Sequence, residues 1–129
     1  MRIDPHGHVP IFLQIVEGLR GDVARGIHKA GEPLPSVREL AVRLGVNPNT
    51  VQRALEALER EGLVESRRGK GMFVTGGGLA SARMRSEASV NTSLEHAIQI
   101  GVSAGMSANE LQRMFAEALD RIFTKVDQT

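Results

Sequence analysis

The chain has no cysteine, no tryptophan and no tyrosine, and only four phenylalanines among its 129 residues. Without cysteine there is no disulfide, no thiolate zinc site and no cysteine nucleophile. So few rings argue against a single-strand nucleic-acid binder, because such proteins stack successive bases on aromatic platforms. No apolar run approaches the roughly 20 residues that a membrane-spanning helix needs. The opening MRIDPHGHVPIF lacks the basic-then-apolar pattern of a secretion signal. A cytoplasmic protein without membrane association is expected. Charge of one sign is scarce as well, with 16 Lys and Arg against 15 Asp and Glu, a net of +1. Residues 1–75 hold 11 basic and 9 acidic side chains (+2), and residues 76–129 hold 5 and 6 (−1). A bias that small selects no partner, so the placement of the charges has to.

What is present is periodic. Phe12, Ile15, Val16, Leu19 and Val23 recur at i, i+3, i+4, i+7 and i+11, which predicts an amphipathic helix from about Pro10 to Gly26. The stretch HKAGEPLP reads as a loop stiffened by Pro33 and Pro35. Ser36 and Glu39 form an S-x-x-E capping box and open a short helix with Val37, Leu40, Ala41 and Leu44 on one face. Gly45 stops it. Asn47 then caps a third helix with Pro48 at its first position, where a missing N–H costs nothing. A helix, a tight Leu44-Gly45-Val46 turn and a second capped helix make a helix-turn-helix. Gly62 closes the third helix, and two strands are expected near Leu63–Arg67 and Met72–Thr75, joined by Arg68-Gly69-Lys70-Gly71.

The third helix reads as an interface. Val51, Ala54, Leu55 and Leu58 cluster on one side at 100° per residue and pack inward. Asn49, Arg53 and Glu56 point the other way, with Thr50 and Gln52 on the flanks. Asn and Gln can pair with adenine edges and Arg with guanine edges, while Thr can bond phosphate or touch a thymine methyl. A helix fits the major groove of duplex DNA and reads it with its N-terminal residues. The acidic Glu56 confines base reading to the first two turns. Arg38, outward near the start of the second helix, suits a phosphate clamp. The hairpin gathers Arg67, Arg68 and Lys70 beside Gly69 and Gly71, so its tip can lay backbone and cations on phosphates. A nucleotide-binding glycine loop is disfavoured there, because the stretch lies between strands and lacks a Lys-Ser/Thr ending.

Gly76-Gly77-Gly78 reads as a flexible linker. The expected division is a DNA-binding domain over 1–75, a linker over 76–79 and a helical tail over 80–129. In the tail, Val90, Leu94, Ile98 and Val102 share one face at spacing four. A second S-x-x-E box, Ser107 with Glu110, opens a last helix striped by Leu111, Met114, Phe115, Ala118, Ile122 and Val126. Two helices cannot bury that much apolar surface between themselves. The cheapest cover is a second copy of the chain, with Leu94, Ile98, Leu111, Met114, Phe115 and Ile122 as the contact set. The fold class is therefore mainly α with a small β-hairpin wing (α+β): an N-terminal winged helix-turn-helix and a C-terminal two-helix dimerisation tail.

Nothing points to catalysis, a cofactor or a metal. His6 and His8 form an H-x-H beside Asp4, better read as a loose N-terminal arm than as a metal site. His28 fits a loop and His96 a surface, and no Ser/His/Asp order or carboxylate pair is suggested.

With those residues in place, 9–75 resembles the N-terminal domain of GntR-family bacterial transcription regulators. The resemblance rests on PIFLQIVEGLRGDVARGI, LPSVRELA, LGVNPNTVQRAL and LEREGLVESRRGKGMFV. The tail, with GVSAGMSANELQRMFAEAL, is similar to the short YtrA-type branch, and it is too brief for the effector domains of the larger branches. The resemblance implies a homodimeric regulator, usually a repressor, on an inverted-repeat operator, often of a transporter operon. It carries DNA contacts onto Arg38, Asn47, Asn49, Thr50, Gln52, Lys70 and Gly71; Arg53 and Arg68 join them from the residue-level reading. Many relatives have arginine where this chain has Pro48 and Gln52, so base preference does not transfer. A small-molecule effector of unidentified chemistry would act between tail and reader. An aminotransferase-type fusion has no room here, and the remaining rival is a winged-helix protein-interaction module that never touches DNA.

Overall fold

The computed structural model describes residues 1–127. Five helices and one hairpin follow in order: α1 Ile11–Ala24, α2 Val37–Leu44, α3 Pro48–Arg60, β1 Val64–Arg67, β2 Gly71–Val74, α4 Gly78–Ser103 and α5 Ala108–Asp127. The architecture is mainly helical, a winged helix-turn-helix followed by two further helices. The chain divides into two compact units, Met1–Ala88 and Ser89–Thr129.

Local chemistry sets the helix ends of the first unit. The Ser36 hydroxyl accepts from the Glu39 N–H at 3.1 Å, and the Glu39 carboxylate accepts from the Ser36 N–H at 3.4 Å, a complete capping box. Asn47 Oδ1 accepts from the Asn49 N–H at 2.8 Å and starts α3 with Pro48 behind it. The apolar stripes then meet. Ile15, Leu19, Val51, Leu55, Leu58, Leu63, Val64 and Val74 are sealed in one core, to which α2 adds Leu40 and Ala41.

Three features depart from the expected loops. The residues before α2 pair with β2: the Val74 N–H donates to Glu32 O at 3.0 Å and the Leu34 N–H to Met72 O at 2.8 Å. Pro33 sits opposite Phe73 between those two bonds, where no N–H is required, so a proline is tolerated at the sheet edge. The N-terminal arm is tied down rather than loose. Gln14 Nε2 donates to the Asp4 and Val9 carbonyls at 2.8 Å each, and its Oε1 accepts from the Asp4 N–H at 2.7 Å.

The third departure corrects the linker. Gly78 is not flexible spacer but the first residue of α4, where a Cβ would lie 2.8 Å from Val74 Cγ1. Ala82 on the next turn is fully buried in the core of the first unit. Arg83 Nε donates to Ala24 O at 3.3 Å, and Arg85 approaches Glu61 at 3.9 Å. The start of α4 therefore belongs to the Met1–Ala88 unit.

Within the second unit, α5 begins at the Ser107–Glu110 capping box, whose two reciprocal bonds are both 3.2 Å. Gly101 and Leu111 approach so closely that a Cβ on Gly101 would stand 2.5 Å from Leu111 Cδ2. Leu94 and Leu111 are half-buried there, while Ile98, Met114, Phe115 and Ile122 are exposed, as are Ile100, Leu119 and Phe123. An apolar groove of about 500 Å³ runs between Leu94, Ile98, Gly101, Met106, Leu111 and Phe115.

Candidate nucleic-acid interface

The interface candidates lie on three elements of the first unit. Arg38 is exposed in the first turn of α2. Asn47, Asn49, Thr50, Gln52 and Arg53 occupy the cap and first two turns of α3; all are exposed except the half-buried Thr50. Arg68, Lys70 and Gly71 stand exposed at the hairpin. The inward positions of α3 are buried as its periodicity requires, so the polar face is turned to solvent by the packing itself.

The side chains are not equally available. Asn47 Oδ1 is engaged as the helix cap, which leaves its amide N–H groups to donate elsewhere. Gln52 Nε2 donates to Glu56 Oε1 at 3.2 Å, an i,i+4 bond that gives the glutamine amide one orientation on the helix surface. Arg53 rests over the Phe12 ring of α1, its guanidinium carbon 4.2 Å from the ring centroid. Phe12 and Glu56 thus support the α3 side chains, a role that their places in a core stripe and a polar face did not reveal.

The hairpin sorts its cations in the same way. Arg67 stacks on Phe73 at 4.2 Å and pairs with Glu65 at 3.3 Å. Among the described residues, Arg68, Lys70 and Arg38 make no side-chain hydrogen bond or ion pair. The free positive charge of the wing is therefore that of Arg68 and Lys70. The tip closes with the Lys70 N–H donating to Arg67 O at 2.9 Å, and Gly69 and Gly71 take φ of 74° and 97°. Only glycine adopts such backbone freely. Gly71→Val is expected to cost about 1–2 kcal/mol of strain and to distort the tip. Thermal melting together with the chemical shifts of Arg68 and Lys70 would read both effects, and an unshifted tip would count against a required geometry.

Elsewhere the reader is braced by a pair that the sequence patterns do not disclose. Arg20 of α1 reaches Glu61, the residue that ends α3, with Nη2 2.6 Å and Nε 3.3 Å from its two carboxylate oxygens. Among the described residues no group of three or more His, Cys, Asp or Glu could hold a metal ion. Nor is any helix among them long and apolar enough to cross a membrane.

The family model for bacterial regulatory proteins of the gntR family matches residues 12–74. A solved GntR-family transcriptional regulator from Listeria monocytogenes superposes with a TM-score of 0.70 at 30% identity, over 89% of this chain and 98% of that one. The chain belongs to the GntR family. The superposition carries the likeness beyond the reader of this GntR protein into its two closing helices. The transcriptional repressor YtrA of Bacillus subtilis (strain 168) is 45% identical over 75 residues, which are 58% of this chain and 58% of that protein. The match therefore spans well under two thirds of that relative. The DNA-binding domain of AraR, solved in complex with the operator ORE1, is similar at 26% identity with a TM-score of 0.52, over 57% of this GntR chain and 89% of that one.

Proposed function

We propose that this protein is a sequence-specific DNA-binding transcriptional repressor that acts as a homodimer on an inverted-repeat operator. The observation that carries the reading is the α3 face: a capped helix whose outward N-terminal residues are Asn49, Gln52 and Arg53, beside a wing with two uncommitted cations. A helix end of that composition suits base edges in the major groove, and the wing and Arg38 suit phosphates. The AraR operator complex and the repressor activity in YtrA's name support the same assignment.

The dimer rests on the second unit, where Ile98, Met114, Phe115 and Ile122 leave an apolar stripe in solvent. Stripes of that kind mark interfaces, and a second copy offers a self-complementary cover. Two-fold protein symmetry then requires two-fold sites. The similarity to the short YtrA-type branch favours a transporter operon as the target.

Selection from random duplexes is expected to enrich an inverted repeat, and enrichment of a lone half-site would sink the dimer model. On the enriched duplex, Lys70→Ala and Arg38→Ala are each expected to weaken binding alike for matched and mismatched sequences. Each should flatten the slope of log K against log salt by about 0.9, the increment of one phosphate contact on duplex DNA. If Lys70→Ala altered sequence preference and left the slope alone, the wing would not lie on phosphates. Failure to bind any duplex would leave the protein-interaction module as the reading.

A further inference from the structure

We infer that Phe12 is a specificity-determining positioning residue: its ring holds the Arg53 guanidinium in the attitude from which it reads one base pair of each half-site. The inference rests on the DNA-binding reading above. Its own observation is the 4.2 Å stack between two residues 41 positions apart, one in the first turn of α1 and one on the exposed face of α3.

Phe12 is half-buried, with its body packed against the core, so the ring is held by the fold. Arg53 is exposed and forms no ion pair among the described residues, so the ring is its one anchored contact there. A free arginine samples many rotamers and meets base edges and phosphates without preference. A guanidinium stacks through its face and donates hydrogen bonds in its plane, so contact with the ring leaves its donors available. A fork fixed in this way can meet the O6 and N7 of a guanine in the register that α3 sets. It loses less freedom on doing so, and only where that base is present. Glu56 performs the related task for Gln52 within the helix, but the Phe12 contact comes from another element and ties the reading geometry to the α1–α3 packing.

The test compares the full chain with Phe12→Leu, Phe12→Tyr, Arg53→Ala and Arg53→Lys on duplexes carrying every single-base change of the selected operator, at several salt concentrations. Arg53→Ala is expected to erase preference at one base pair per half-site. Phe12→Leu is expected to lower discrimination at that same base pair by about two- to fivefold, the factor that an exposed cation–π contact carries. Preference elsewhere and the salt slope should stay unchanged, and Phe12→Tyr should retain full discrimination. Arg53→Lys leaves Phe12 in place and should lose discrimination at that base pair, which checks the guanidinium fork itself, and the melting temperature of Phe12→Leu shows that its discrimination is read on a folded chain. A uniform loss across all duplexes with Phe12→Leu, or a flatter salt slope with Arg53→Ala, would overturn the inference and make Arg53 a phosphate contact. Discrimination unaltered by Phe12→Leu at a base pair that Arg53→Ala does erase would overturn the positioning role alone. A wild-type chain that enriches no sequence would overturn both the inference and the DNA-binding reading.

Discussion

A chain ended after Ala88 is expected to remain folded, to sediment as a monomer, and to lose on the order of 100-fold or more of its affinity for a two-half-site operator. The expected size follows from avidity: once one reader is bound, a linked second reader binds at a high effective concentration, and that gain vanishes when the link is cut. The place of the cut is set by the structure. The Gly76–Gly78 stretch looks like the natural boundary, yet Ala82 is fully buried, Arg83 donates to Ala24 O and Arg85 lies 3.9 Å from the Glu61 carboxylate. A cut after Gly78 would strip these contacts from the reader and is expected to lower its melting temperature, whereas a cut after Ala88 keeps them. What the longer fragment loses is the apolar stripe of Ile98, Met114, Phe115 and Ile122. Equilibrium sedimentation of the 1–88 fragment is decisive, since a stable dimer would move the interface into the reader.

Glu61→Ala is expected to destabilise the protein by about 3 kcal/mol, the lower end of the cost of removing one partner from a buried ion pair. Arg20 would be left with its side chain 9% exposed and no carboxylate, while the Glu61 side chain is 18% exposed, which places the cost at the lower end. For a unit of this size that is a fall of roughly 12–24 °C in melting temperature. The double replacement Arg20→Met with Glu61→Leu should recover much of the loss, because apolar packing of similar volume often matches a buried pair. Because Glu61 ends α3 and Arg20 belongs to α1, the single variant should also loosen the seat of α3. A melting temperature within two or so degrees of wild type would show that solvent screens the pair. The relevant contrast is between this pair and the exposed Arg67–Glu65 contact, whose loss should be barely measurable.

Most of the first unit is legible in the sequence. Capping boxes act over three residues, helix stops over one or two, and the wing turn over four, so Ser36, Glu39, Asn47, Pro48, Gly62 and the Arg68–Gly71 tip announce their elements in the linear text. Helical periodicity also marks inward and outward residues, and the buried Val51, Ala54, Leu55 and Leu58 follow it. What periodicity does not state is which neighbour an inward or half-inward residue meets. Phe12 belongs to the apolar stripe of α1 and is also the seat of Arg53; Arg20 and Glu61, which no sequence pattern links, meet across 41 residues. Pro33 falls in a stretch that reads as a stiffened loop, yet it stands opposite Phe73 between two ladder bonds, where no N–H is needed. The triple glycine read as slack, yet its last member starts a helix against Val74 because only a residue without a Cβ fits there. The caps and stops of α2 and α3, the wing turn and the apolar faces are written in the chain, since they depend on interactions between residues a few positions apart. How α1 and α3 are braced and where α4 joins the first unit emerge in the folded chain alone, because they depend on packing between segments that chain distance does not relate.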